Sequence, residues 1–166
     1  KFSYFLDNIV RPTSYEAELL QLLKRYSAAV KDGLIECQVT PGLKRLRDAT
    51  PAARWLIVSG GDQAELREIF ATRGLDKLFD GGIFGSPATK DEIFERETAC
   101  GRLSGATLFL GDSVYDYSAA KQAGIDFVFV SGWTEVDSWQ TFVQGNNLYA
   151  IDKPVDLLSL DCAYKI

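Results

Sequence analysis

The stretch ATLFLGDSVYDYSAAKQAGIDFVFVSG, residues 106–132, decides the fold. Its first part, ATLFLGD, is apolar on successive residues, as a strand buried on both faces of a parallel sheet must be. SVYDYSAAKQAG then carries small and apolar residues at helical spacing and stops at a glycine, a helix with a C-terminal signal. IDFVFVSG is again a buried strand. Strands alternating with helices in this way mean a doubly wound parallel sheet.

Working outward, the alternation continues. Upstream, RWLIVSG (residues 54–60) reads as a strand, DQAELREIFATRG as a helix closed by Gly74, GGIFG as a short strand and TKDEIFERETACG as a helix. LKRLRDA, after Thr40-Pro41-Gly42, is a short helix. Downstream, EVDSWQTFVQG (residues 135–145) reads as a helix, and NNLYAIDKPVDLLSL supplies a last strand and helix. Before residue 53 there is no strand pattern. FSYFLDNI places Phe2, Phe5, Leu6 and Ile9 at helical spacing, Arg11-Pro12-Thr13 interrupts it, and SYEAELLQLLKRYSAAVKDG reads as a long helix ending at Gly33. The expectation is an α/β protein, a Rossmann-like parallel sheet with helices on both faces. A helical cap remnant over residues 1–40 precedes a core over residues 41–166.

Composition narrows the chemistry. At 166 residues and 46% apolar, the chain can bury a core. With a net charge of −5 and no basic run, neither nucleic acid nor an anionic membrane is an expected partner. No apolar run is long enough to span a bilayer. The three cysteines, Cys37, Cys100 and Cys162, are odd in number and widely spaced, which reads as reduced, buried or incidental thiols of a cytoplasmic protein. There is no histidine, so a Ser-His-Asp or Cys-His site made by this chain alone is excluded. What remains is carboxylate, hydroxyl, lysine and metal chemistry.

Three short motifs fall at strand ends or helix starts, where open parallel sheets bind ligands. In IVSGGDQAE, Ser59 stands where the strand ends, and the amides of Gly60 and Gly61 can face a phosphate. Asp62 with Glu65 also makes a plain capping pattern. In SPATKDEIF, Thr89 and Glu92 form a capping box that puts Lys90 in the first helical turn, where a cation opposes the helix dipole unless an anion sits there. The alternative is a lysine extending into solvent. In GDSVYD, Ser113 and Asp116 fit a capping box too. Capping accounts for Asp116 but leaves Asp112 unexplained. A strand-end carboxylate beside a second acid suits a hard cation with oxygen ligands, most simply Mg²⁺. Capping and metal binding can both hold for Asp116.

In this order and context, the Ser, the Lys and the G-D-x-x-x-D pattern resemble the haloacid dehalogenase-like (HAD) hydrolase superfamily. Ser59 matches that family's second motif, Lys90 its third, and Asp112 with Asp116 its fourth. TPGLKRL, RGLDKLFDGGIFGSP and AAKQAGI are also similar to it, and the likeness covers residues 40 to 132 well. The resemblance implies a Mg²⁺-dependent phosphohydrolase acting on a small phosphorylated metabolite through an aspartyl-phosphate. Ser59, Gly60, Gly61 and Lys90 would grip the phosphate, Lys90 bridging to the nucleophile. Asp112 would bind the metal directly, and Asp116 directly, through water, or by orienting other groups. The family's nucleophile lies in a D-x-D motif after an N-terminal strand, and this sequence has none; in YFLDNIV, Asp7 is followed by Ile9. The chain opens without methionine and in mid-pattern, so the expectation is a truncated chain, inactive alone, whose first strand is missing from the centre of the sheet. Alternatives are a phosphosugar mutase of the same fold and a non-catalytic binding or scaffold protein. A dehalogenase, which needs no metal, and a receiver domain fit less well.

Overall fold

A computed structural model describes residues 6–10 and 14–160. The chain divides into two compact units between Gln38 and Val39. In the first, Leu6–Val10 forms a π-helical turn. Phe2, Phe5, Arg11 and Pro12, from the expected opening helix and its interruption, lie outside the described residues, as does Cys162. Helix α1, Tyr15–Glu36, carries the expected long helix but does not stop at Gly33. The helix continues through Leu34-Ile35-Glu36, and Gly33 contributes its carbonyl to the Cys37 N–H at 2.8 Å instead. A single interior glycine costs only about 1 kcal/mol, too little to end a helix of this length.

The second unit alternates as expected. Its elements are α2 (Leu43–Ala49), β1 (Leu56–Asp62), α3 (Gln63–Thr72), β2 (Gly82–Ser86), α4 (Lys90–Ala99), β3 (Leu108–Gly111), α5 (Val114–Ala123), β4 (Asp126–Val130), α6 (Trp139–Gly145) and β5 (Tyr149–Ile151). A 3-10 turn over Pro154–Ser159 follows. Turn chemistry punctuates it where the sequence indicates. Asp62 caps α3 by accepting from the Glu65 N–H at 2.9 Å, and Gly124 ends α5 in the left-handed region at φ 68°. Two boundaries move. Strand β1 runs past Ser59 to Asp62, and α6 begins at Trp139 rather than near Glu135.

All strand pairs are parallel. β1 pairs with β2, and β3 pairs with β4, which pairs with β5. Among the described residues, these are two sheets, of two and three strands, with no ladder joining β1 to β3. In β4 the alternation separates two cores. Val128 and Val130 pack with Leu46, Ile151 and Leu157, while Phe127 and Phe129 pack with Ala120 and, around them, Trp139 and Phe142. Both faces of that sheet are thus covered, α2 and the 3-10 turn on one side and α5 and α6 on the other. β1 and β3 differ. Their apolar residues Leu56–Val58 and Leu108–Leu110 are only half-buried, although their sequence suits burial on both faces. Helix α4 lies across the two sheets: it packs on β1 and β2, and its Phe94 ring meets Phe109 of β3 edge-on at 5.1 Å.

Of the thiols expected to be buried or incidental, Cys37 and Cys100 are both free and exposed. No helix among the described residues is long and apolar enough to cross a membrane.

Candidate active site

The site is built from Gly111 outward. A Cβ placed on Gly111 would lie 2.4 Å from the Asp116 Cβ, closer than real Cβ atoms come to anything. Only glycine lets the end of β3 approach the first turn of α5 so closely. Ser113 caps that helix, its Oγ accepting from the Asp116 N–H at 3.1 Å. Asp116 answers as a capping box, its Oδ2 accepting from the N–H groups of Ser113 and Asp112 at 3.2 and 3.3 Å and from the Ser113 hydroxyl at 2.7 Å.

The remaining Asp116 oxygen, Oδ1, pairs with the Lys90 ammonium. Both partners are removed from solvent, the side chains being 3% and 14% exposed. Lys90 opens α4 behind the expected Thr89–Glu92 capping box, in which the Thr89 N–H donates to Glu92 at 2.7 Å. That bond holds the Glu92 carboxyl below its usual range. The expected mismatch of a cation at a helix start is therefore relieved within the chain: the anion there is Asp116.

The Asp116 carboxylate is consequently filled, with one oxygen on Lys90 and the other on three donors. Asp112 is in a different position. Its backbone is fixed, its N–H donating to Asp116 and its carbonyl accepting from the Thr134 hydroxyl at 2.6 Å. Its carboxyl is pushed above the usual range, first by partial burial and then by the Asp116 charge, with Lys90 opposing. The residue as a whole stays exposed to solvent. A carboxyl raised by a neighbouring carboxylate is what a hard divalent cation relieves. Among the described residues, no three His, Cys, Asp or Glu side chains gather as a complete metal cluster. The donor set fits Mg²⁺ in the partial sense usual for that ion, which keeps several waters and takes one or two carboxylates plus substrate oxygens.

Ser59 reaches the same edge of the protein by topology. The Lys90–Asp116 pair brings together the segments that follow β2 and β3, and β1 runs parallel to β2 with Asp62 in register with Ser86. The carboxyl ends of β1, β2 and β3 therefore share an edge. The local geometry differs from a glycine turn, however. Gly60 and Gly61 lie in an extended, irregular continuation of β1, and the Gly61 N–H donates to Ser59 Oγ at 3.1 Å. Of the two amides expected to face a phosphate, Gly61's is already engaged. Strand β2 makes room for this irregular segment with a glycine: a Cβ on Gly85 would lie 2.3 Å from the Gly61 carbonyl oxygen.

Sequence reading took Gly111 only as part of the G-D pattern and missed Thr134 and Tyr115. The last stands beside Asp116 and donates its hydroxyl to Asp91 at 3.1 Å. Nothing in the sequence pairs Thr134 or Tyr115 with their distant partners.

No protein-family profile matches the chain, and no curated protein does. Solved structures do. A haloacid dehalogenase-like family hydrolase from Streptococcus pneumoniae superposes with a TM-score of 0.70 at 21% identity, over 95% of this chain and 74% of that one. A HAD-superfamily hydrolase from Ehrlichia chaffeensis gives 0.54 at 22% identity, over 93% and 77%. A HAD hydrolase of family IA, variant 3, from Entamoeba histolytica gives 0.67 at 13% identity, over 89% and 70%. With parallel sheets flanked by helices and this strand–helix order, the chain has the fold of the haloacid dehalogenase-like hydrolases.

Proposed function

We propose that this chain carries the phosphate- and metal-binding part of a Mg²⁺-dependent phosphohydrolase for a small phosphorylated metabolite. One observation supports this most: Lys90, Asp112 and Asp116, read from two motifs far apart in sequence, meet at the carboxyl edge of the strands. Lys90 would hold a phosphoryl oxygen and offset the charge that develops on it, in a place already screened from water. Asp112 would be the direct metal ligand. The filled carboxylate of Asp116 supports the orienting role, since it fixes both Lys90 and the backbone of Asp112. The Ser59 Oγ already accepts from Gly61, which leaves its own proton to donate to a phosphoryl oxygen. Mg²⁺, when bound, would supply Lewis-acid stabilisation of the phosphoryl oxygens.

The nucleophile belongs to this reading as a D-x-D aspartate on a further parallel strand between β1 and β3. The missing ladder and the half-buried apolar residues of those two strands support that position. An aspartyl-phosphate would split the hydrolysis into two easier steps. The thiol count and the absence of a basic run fit a cytoplasmic enzyme with no nucleic-acid or membrane partner. The test is p-nitrophenyl phosphate hydrolysis by the gene product containing this chain, with and without Mg²⁺. Asp112→Asn should lower the rate by at least about 100-fold, in the range of losing one transition-state electrostatic contact. Retained Mg²⁺-dependent activity would refute the metal role. The chain by itself should release no phosphate.

A second reading is a non-catalytic phosphate-binding protein of the same fold. It is favoured by the pairing of Lys90 with Asp116 within the chain. Phosphate binding without turnover in the whole gene product would select it.

A further inference from the structure

We propose that Tyr115 is a positioning residue that holds Lys90 at the strand end through its ring. The inference rests on the reading of Lys90 as a phosphate-holding group. Lysine is a flexible chain with a point charge, and it serves as a preorganised anion site only if its rotamers are fixed. Two ring faces and one carboxylate do that here. The Lys90 ammonium lies over Phe109 at 5.9 Å and over Tyr115 at 5.7 Å from the centroids, both within cation–π reach. Phe109 is part of β3 and is held by its contacts with Phe94 and Phe127. Tyr115 has no such core support: it is 48% exposed. Its hydroxyl is tied instead to Asp91, the residue next to Lys90. Two adjacent residues of α4 thus pair crosswise with two adjacent residues of α5, Lys90 with Asp116 and Asp91 with Tyr115. The first pair places the charge. The second spreads a half-exposed ring beside it, and so keeps the ammonium covered at a site that must stay open to a ligand.

The ring and the hydroxyl can be separated. Tyr115→Phe keeps the ring and loses the tie to Asp91; Tyr115→Leu keeps bulk and loses both. Calorimetric titration of the chain with inorganic phosphate in Mg²⁺ should show binding by wild type, weakening of about 2- to 5-fold by Tyr115→Leu, and a smaller loss by Tyr115→Phe, whose ring is present but untied. In a Lys90→Met background Tyr115→Leu should change nothing further. Equal affinity of wild type and Tyr115→Leu overturns the proposal while leaving the phosphate site standing. If wild type binds no phosphate, the phosphate reading falls, and the Lys90 ε-methylene protons decide the positioning role. In ¹³C-lysine-labelled protein these should be ring-current shifted in wild type and move toward the smaller shift left by Phe109 alone, partly in Tyr115→Phe and fully in Tyr115→Leu. An unmoved signal in Tyr115→Leu overturns the proposal.

Discussion

Replacing Asp116 by Ala removes the group on which the site depends most. Its carboxylate serves four donors: the Lys90 ammonium, the Ser113 hydroxyl, and the N–H groups of Ser113 and Asp112. Truncation strands an ammonium that is 14% exposed and two backbone donors. Removing one partner of a buried pair costs about 3–5 kcal/mol, and the lower end applies because a lysine chain can bend its charge toward solvent. Near 3 kcal/mol, a domain of this size should melt about 6–12 °C lower. Asp116→Asn keeps the shape and loses the charge, for about 2 kcal/mol. Lys90→Met combined with Asp116→Asn removes both charges, so its cost should fall short of the sum by about 1–2 kcal/mol. Urea unfolding followed by tryptophan fluorescence measures all of these. If Asp116→Ala lies within 0.5 kcal/mol of wild type, or the double variant is additive, the pair is solvated and the construction of the site from Asp116 is wrong.

Other outcomes are expected. Gly111→Ala forces a Cβ to within 2.4 Å of Asp116 and should cost about 1–3 kcal/mol by urea unfolding; a neutral result would contradict the close approach. Mg²⁺ at ten times its dissociation constant should stabilise the chain by about 1.4 kcal/mol in thermal melts, and Asp112→Asn should erase that shift. Glu97, fully buried on α4, is held below its usual value near 4.5, first by the hydrogen bond from Arg102 and then by that from Arg96, with burial opposing. The native state therefore binds fewer protons than the unfolded one. The stability from Glu97 is complete above about pH 4.5 and lost as pH falls through the depressed value, and Glu97→Gln should flatten that acid limb of the stability profile.

The alternation of strands and helices was legible because parallel strands are apolar on successive residues and each helix carries its own cap. Thr89–Glu92 and Ser113–Asp116 were readable as boxes and formed as boxes. Boundaries set by a balance of small terms were less legible. Gly33 failed to stop α1, and the start of α6 is delayed by a turn in which the Thr134 hydroxyl accepts from the Val136 N–H. Candidate residues such as Lys90 and Asp112 could be picked out by type and position. What each of them touches could not, because contacts such as Lys90 with Asp116 or Thr134 with Asp112 join positions more than twenty residues apart. The capping reading of Asp116 describes one of its oxygens; the other pairs with Lys90, a contact no sequence pattern indicated.

The missing ladder between β1 and β3 bears on cooperativity. Two sheets without shared backbone bonds communicate through α4, where Phe94 meets Phe109 and where Lys90 and Asp91 meet Asp116 and Tyr115 of α5. Amides of β4, bonded on both sides, should exchange with solvent near the global unfolding free energy, while those along the open edges of β1 and β3 should exchange through smaller openings. Lys90 and Asp116 stand on opposite banks of that seam. Whatever closes it would join the two sheets by backbone bonds, and would tighten the charged pair in the same event.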